Sequence, residues 1–259
     1  MKHLQHASKP APASAQRISY AIFLSAFSLY FGTAVPVWAG VFSITPVRIY
    51  MTPRDRAVAV TITNEGDTEV VLQADLNAWN QKSDGTDEQT PTEDIILSPP
   101  IVKLAPNTRQ VIRLAMLKPA DATRQLTYRM IMREVPEALP NLDKTIQLPI
   151  ALALSMPVFI TPPSAKRIVN CSVSRGAESA LNISCANTGT AYAQVREVLV
   201  KRGEVTLAKF EGGSYILPGA QKIIVATGTG AQPIAAGPVQ INVGFDDGKS
   251  QIFDVILPP

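Results

Sequence analysis

The chain has 259 residues, with 24 lysines and arginines, 21 acidic residues, two histidines and two cysteines. Both histidines, His3 and His6, lie close to the N-terminus. The rest of the chain therefore cannot build a Ser-His-Asp or Cys-His site, and it lacks the commonest metal ligand. These counts weigh against an enzyme, although carboxylate pairs and lysine bases stay open as catalytic groups.

The first forty residues have the layout of a secretory leader. Three basic residues precede an apolar stretch at residues 18–35, and Val37-Trp-Ala39 matches the small-x-small pattern of a signal-peptidase site. A retained membrane anchor is the alternative, because the stretch is near the length that spans a bilayer. Its Ser, Gly and Thr content and the cleavage pattern favour removal. We therefore expect residues 1–39 to be removed, with no membrane insertion afterwards.

Removal of the leader changes the charge of the chain. The leader contains Lys2, Lys9 and Arg17 and no acidic residue. Taking these three from the 24 basic residues leaves 21, which equals the 21 acidic residues. A chain without net charge gives no reason to expect a nucleic-acid partner.

Cys171 and Cys185 are the two cysteines of the chain. In an oxidising compartment, two cysteines on neighbouring segments most simply form a disulfide. The alternative is a reactive thiol with a resolving partner, which usually shows a closer C-x-x-C spacing. We predict a structural disulfide.

Short β-rich runs dominate the pattern, and helical periodicity is nearly absent. Such runs, separated by turn residues, are typical of antiparallel sandwiches. The predicted strands are 42–51, 57–64, 69–78, 95–98, 110–116, 126–135, 146–160, 168–174, 180–186, 193–202, 206–210, 222–227, 239–245 and 251–257. Thr161-Pro-Pro-Ser164 interrupts them as a short, stiff linker. We therefore predict an all-β chain with sandwich domains at residues 40–162 and 163–259.

The run from Ile146 to Ile160 is the most informative of these strands. Large apolar side chains alternate with small residues or prolines, which is the period of a β-strand. Two prolines inside the run argue against a central strand, since proline cannot donate to the ladder. An apolar strand at a sheet edge can pair with another chain's backbone. The alternative is an ordinary core strand with a bulge.

Motifs for catalysis or cofactor binding are missing from the sequence, which contains no P-loop, no G-x-S-x-G elbow and no G-x-G-x-x-G after a strand. Asp246-Asp-Gly248 resembles part of a calcium loop but lacks the later ligands, so a hairpin turn explains it better. We expect neither a cofactor nor a metal.

Several motifs, taken together, resemble the PapD-like periplasmic chaperones of the chaperone–usher pathway. The resemblance covers the whole chain after the leader. Within this family the chain most resembles the archaic, Csu-type branch, because of the Tyr-Arg pair at 128–129 and the run Ser155-Met-Pro-Val-Phe159. The motifs are Ser43–Ile49, Ser98–Leu104, Val111–Leu114, Tyr128–Pro136, the alternating strand at 146–160, and Cys185–Tyr192.

The resemblance implies a function as well as a fold. The fold would be two immunoglobulin-like sandwiches in an L or boomerang shape. Such chaperones bind and cap pilus subunits by lending an edge strand, called donor-strand complementation, and deliver them to an outer-membrane usher. The residues that would be donated here are Leu148, Ile150, Leu152, Leu154 and Met156.

A basic anchor for the subunit's C-terminal carboxylate also follows from the resemblance. Arg48 occupies the position of the family's strand-one arginine, although a surface arginine is the simpler interpretation. Family members place a lysine near the far end of the donor strand, where this chain has Pro157. We therefore expect the second positive charge to come from Arg129, with Lys166 as a weaker candidate.

The expected partners are pilus subunits and an outer-membrane usher, in the periplasm, and a self-capping dimer could protect the edge of the free chaperone. Two alternatives stay open. A pilus subunit or adhesin would need a donor extension after the leader, but 40–44 leads directly into a strand. A secreted β-sandwich enzyme is less favoured because of the missing histidines.

Overall fold

A computed structural model of the protein describes residues 42–136 and 151–259, which form seventeen β-strands and no helix. The predicted all-β fold is confirmed. No helix in these two ranges is long and apolar enough to cross a membrane. The predicted leader, residues 1–39, lies outside the described residues, as do Leu148 and Ile150.

Two sheets build the first sandwich. Their strands are β1 (Phe42–Thr45), β2 (Ile49–Met51), β3 (Ala57–Asn64), β4 (Val70–Gln81), β5 (Asp87–Pro91), β6 (Ile95–Ser98), β7 (Ile101–Leu104), β8 (Arg109–Met116), β9 (Leu126–Glu134) and β10 (Ala153–Ile160). One sheet has the order β1–β3–β8–β6, and the other has the order β2–β10–β9–β4–β5, with β7 beside β4.

The chain changes sheets between β1 and β2, where the sequence predicted one continuous strand at 42–51. β1 pairs antiparallel with β3, whereas β2 runs parallel to β10 in the other sheet. Pro46 lies at the break and has no N–H for a ladder. The crossing places Arg48 immediately before β2.

Alternating side chains from both sheets fill the core of the first sandwich. Its fully buried members include Ile62, Leu72, Ile112, Leu114, Met130 and Met132. Each such side chain contributes about 1.5–3 kcal/mol of transfer free energy. The strand pattern in the sequence therefore reports which face of each strand is buried.

Seven strands enclose the second core. They are β11 (Val169–Arg175), β12 (Leu181–Asn187), β13 (Ala193–Arg202), β14 (Val205–Ile216), β15 (Gln221–Gly228), β16 (Gly237–Phe245) and β17 (Ser250–Leu257). They form a single path in the order β11–β12–β15–β14–β13–β16–β17. The side-chain amide of Gln251 on β17 donates to the carbonyl of Val169 on β11 across 3.3 Å, so the two ends of the path meet.

The disulfide between Cys171 and Cys185 is present, with an S–S distance of 2.04 Å. The two residues face each other in the register of β11 and β12. The predicted structural disulfide is therefore confirmed.

The two sandwiches belong to one compact unit, Gly40–Pro259. Residues 161–168, which include the predicted Pro-Pro linker, form no strand. A separate apolar cluster of Trp79, Phe159 and Leu217 joins the sandwiches, with Tyr192 and Tyr215 packed against it. The hairpin between β4 and β5 adds polar contacts, because the side chain of Gln81 bonds to the backbone of Tyr215 and Leu217.

Candidate functional site

Strand β10 has an incomplete set of neighbours. β9 pairs with it along its whole length, from Ala153 to Ile160. On the other side, β2 pairs only with Val158–Ile160. Among the described residues, no strand pairs with that side of Ala153–Pro157. This stretch, which we call the open edge, leaves backbone hydrogen-bonding groups available to another chain.

Apolar side chains before and along the open edge change gradually from exposed to buried. Leu152, just before β10, is 44% exposed, and Leu154 is half-buried against the first core. Met156 is only 4% exposed and belongs to that core. Of the predicted donor residues that the structure describes, Leu152 and Leu154 thus retain surface to offer, whereas Met156 is already used inside its own sandwich.

Arg48 lies in a cleft of about 780 Å³ whose lining comes from both sandwiches. Its Nη1 donates to Oδ2 of Asp246 across 3.0 Å. The Arg48 side chain remains 30% exposed, whereas that of Asp246 is 10% exposed. Arg48 is therefore a cleft residue with an internal partner and an accessible surface, and not an isolated surface arginine.

Two tyrosines extend this contact. The hydroxyl of Tyr192 donates to the same oxygen of Asp246 across 2.8 Å, and it lies 3.0 Å from the hydroxyl of Tyr50. Burial raises the pKa of Tyr192, and its bonds to Tyr50 and Asp246 act in the same direction. Burial alone would lower the pKa of Arg48, but the interactions with Tyr50, Tyr215 and Asp246 outweigh it and raise that pKa. Arg48 is therefore charged at any physiological pH.

Arg129 is held by aromatic rings. Its guanidinium carbon lies 3.7 Å from the ring centroid of Trp79 and 5.4 Å from that of Tyr215. Such stacking stabilises a cation by about 0.5–2 kcal/mol. Burial lowers the pKa of Arg129, and its Nε is buried without a hydrogen-bond partner. An arginine retains its charge even so, and its Nε is left as an unsatisfied donor beside the rings of Trp79 and Tyr215.

Tyr215 connects the two predicted anchor arginines. The guanidinium carbon of Arg48 lies 6.0 Å from its ring centroid, close to the distance for Arg129. The structure thus brings Arg48 and Arg129 to one aromatic ring. Lys166 is exposed and lines the same cleft as Arg48.

Sequence reasoning missed Asp246, Tyr50 and the aromatic cluster as parts of the site. The sequence pattern points to Tyr192 only as the last residue of a motif, and it predicts Asp246 only as part of a turn. That turn is confirmed, since residues 246–249 connect β16 to β17 and Gly248 has φ +76°. No group of metal-ligating side chains occurs within 42–136 or 151–259.

Solved structures with the same fold are pilus chaperones. A chain of the CsuC–CsuE chaperone–tip adhesion subunit pre-assembly complex from archaic Csu pili of Acinetobacter baumannii matches with a TM-score of 0.60 and 18% identity, covering 85% of this chain and 100% of that one. The E. coli chaperone DraB matches with a TM-score of 0.55 and 17% identity, covering 85% and 97%. A chain of the Salmonella enterica SafA pilin–SafB chaperone complex matches with a TM-score of 0.55 and 15% identity, covering 85% and 98%. The fold is therefore that of the two-sandwich pilus chaperones.

The sequence supports the same family independently of the fold. Residues 41–166 match the family described as pili and flagellar-assembly chaperone, PapD N-terminal domain. No curated protein sequence matches the chain. The segment 41–166 therefore belongs to the PapD N-terminal domain family, and the chain as a whole has the fold of the solved pilus chaperones. The family is one of assembly chaperones and not of enzymes.

Proposed function

We propose that this chain is a periplasmic chaperone that caps pilus subunits by donor-strand complementation and hands them to an outer-membrane usher. The open edge of β10 is the observation that carries this proposal, because it offers an unpaired ladder. The chaperones in two of the matching structures are in complexes with a tip adhesion subunit and a pilin. We extend that type of partner to this chain.

Apolar side chains would supply the affinity of the donated strand. Leu152 and Leu154 are the described residues with surface to offer, and the prediction adds Leu148 and Ile150 before them. Each could contribute about 1.5–3 kcal/mol on full burial, offset by the cost of association and ordering. Met156 packs in the chaperone's own core, so the donated segment would run N-terminally from Leu154.

The cleft would bind the subunit's C-terminal carboxylate. Arg48 uses its Nη1 on Asp246, and the other donors of its guanidinium can take a second carboxylate. Arg129, charged and with an unsatisfied Nε, is the second cation of the anchor, and exposed Lys166 is the alternative. Strand pairing and the carboxylate contact together would fix the register of the bound subunit.

Co-expression with a pilus subunit of the source organism tests the proposal. Leu152→Asp places a charge on the donated segment and should abolish co-purification, and Arg48→Ala should reduce the subunit yield at least about tenfold. Leu117→Asp is the matched control, since Leu117 is 63% exposed in the same sandwich but follows β8. Normal complex formation by Leu152→Asp would move strand donation to another part of the chaperone.

The oligomeric state of the free chaperone is part of the same proposal. A self-capping dimer would cover the open edge, so size-exclusion chromatography should give a dimer for the free protein and a one-to-one complex once a subunit binds. Leu152→Asp should then favour the monomer. A dimer that is unaffected by Leu152→Asp would place the contact between the two copies elsewhere.

A further inference from the structure

One carboxylate oxygen in the cleft receives two hydrogen bonds. Oδ2 of Asp246 accepts from Nη1 of Arg48 at 3.0 Å and from the hydroxyl of Tyr192 at 2.8 Å. Since the hydroxyl of Tyr192 donates its hydrogen bond to Asp246, its oxygen accepts from the hydroxyl of Tyr50, 3.0 Å away. A directed chain of hydrogen bonds therefore ends on a carboxylate of the second sandwich, beside the arginine of the first.

The backbone holds Asp246 in this place. It follows β16 directly, and its N–H donates to the carbonyl of Gln194 across 3.1 Å. The neighbouring Asp247 turns to a different arginine, with its carboxylate oxygens 3.3 and 3.4 Å from Nη2 of Arg167. Asp246 is thus committed to Arg48, and the second acid of the turn does not substitute for it.

We propose that Asp246 is an internal stand-in for the ligand carboxylate at Arg48. In the free protein it orients the guanidinium and occupies part of its donor fork. When a ligand carboxylate arrives, Asp246 remains as a like charge beside it and limits the affinity. This positioning role rests on the proposed function of the cleft as a carboxylate anchor.

The proposal predicts a gain of binding on removal of a charge. Asp246→Asn retains an oxygen that accepts from Arg48 and Tyr192, but it removes the repulsion of a second anion. Two like charges a few ångströms apart repel each other, so we expect carboxylate binding to tighten about tenfold when one of them is removed. A residue with only a structural role would weaken binding or leave it unchanged.

Small probes of a chain terminus make the test independent of the subunit. N-acetylalanine carries the terminal carboxylate, and N-acetylalanine amide does not. Titration of each into the full chain after leader removal, followed by the NMR signal of the Arg48 side chain, gives two dissociation constants. We expect the wild type to prefer the acid and Asp246→Asn to increase that preference about tenfold, with the amide unaffected.

Control variants show whether a gain in binding comes from removing the charge at Asp246. Asp254→Asn makes the same chemical change on β17, opposite Gln240 and about 20 Å along the hairpin from the turn, and should leave both constants unchanged. Tyr192→Phe keeps the charge of Asp246 and must not reproduce the gain. If Asp246→Asn does not fold, Asp246→Ser provides an uncharged acceptor for the same test.

Each outcome has a distinct meaning. A wild type without acid preference, or with no measurable binding of either probe, would overturn the carboxylate anchor and the inference with it. A wild type that prefers the acid, combined with an unchanged or smaller preference in folded Asp246→Asn, would overturn only the stand-in role of Asp246.

Discussion

Asn64 and Asn187 occupy the same corner in the two sandwiches. Nδ2 of Asn64 donates to the carbonyls of Thr68 and Leu104, and its Oδ1 accepts from the N–H of Gly66. Nδ2 of Asn187 likewise donates to the carbonyls of Ala191 and Ile216, and its Oδ1 accepts from Gly189. Both side chains are nearly inaccessible, at 2% and 1% exposure.

We predict that Asn64→Ala and Asn187→Ala each destabilise the protein by about 3 kcal/mol, because buried backbone groups lose their partners. Chemical denaturation measures the change. Asn170→Ala, at an exposed position of β11, should cost less than about 0.5 kcal/mol. Equal stability of all three variants would show that the corner bonds are replaced by water.

Substitution of Arg129 should separate its contribution to packing from the contribution of its charge to binding. Arg129→Met retains a long apolar chain between Trp79 and Tyr215, so the free energy of unfolding should change by less than about 1 kcal/mol. Subunit binding should weaken at least about tenfold, because the second cation is lost. Arg113→Met, on exposed β8 surface in the other sheet, should alter neither. Unchanged subunit binding by Arg129→Met would leave Lys166 as the second anchor.

The disulfide closes a segment with a sequence separation of 14. We predict that the double variant Cys171→Ala, Cys185→Ala loses about 3 kcal/mol of stability in the chain-entropy model. Thermal unfolding of the variant, and of the wild type under reductant, should show the same loss. Because the disulfide lies in the second sandwich, subunit capture at temperatures well below unfolding should persist.

Buried tyrosines should make the protein sensitive to alkali. Burial, followed by Asp94, raises the pKa of Tyr128, and burial is also the main cause of the raised pKa of Tyr192 and of Tyr215. Above pH 10 the unfolded chain releases these protons while the folded chain keeps them, so stability falls as pH rises. The loss is at most about 1.4 kcal/mol per pH unit for each tyrosine.

Melting curves from pH 8 to pH 11 measure this slope. Tyr128→Phe should flatten it, since one raised pKa is removed. Ser172→Ala, at an exposed position of β11, is the control and should leave the slope unchanged. A wild type whose melting temperature stays constant up to pH 11 would contradict the assignment of buried, neutral tyrosines.

Local patterns in the sequence predicted most strands, because each strand buries one face and exposes the other. The sequence did not predict β5, because all five of its residues are exposed and show no alternation of apolar side chains. Its role is visible only in three dimensions, where Asp87 accepts a hydrogen bond from Nε1 of Trp79. The sequence did not predict β7 either, because it has only four residues and is separated from β6 by Pro99 and Pro100 alone.

The site was less accessible to sequence reasoning than the fold. The alternating run pointed to β10, but only the register with β2 shows where its open edge ends. Arg48 and Asp246 are 198 residues apart, so no local pattern connects them. Arg129 was proposed from the missing lysine at Pro157, and these two residues do face each other in the register of β10 and β9.

Val158 and Ile160 lie in the core of the first sandwich, on the same strand whose other end is open. Any pulling force on a chain paired with Ala153–Pro157 therefore passes along one backbone into the β9 and β2 ladders. A bound chain that is pulled would therefore load the first sandwich directly, and its attachment can be no stronger mechanically than the β9 and β2 ladders that hold β10.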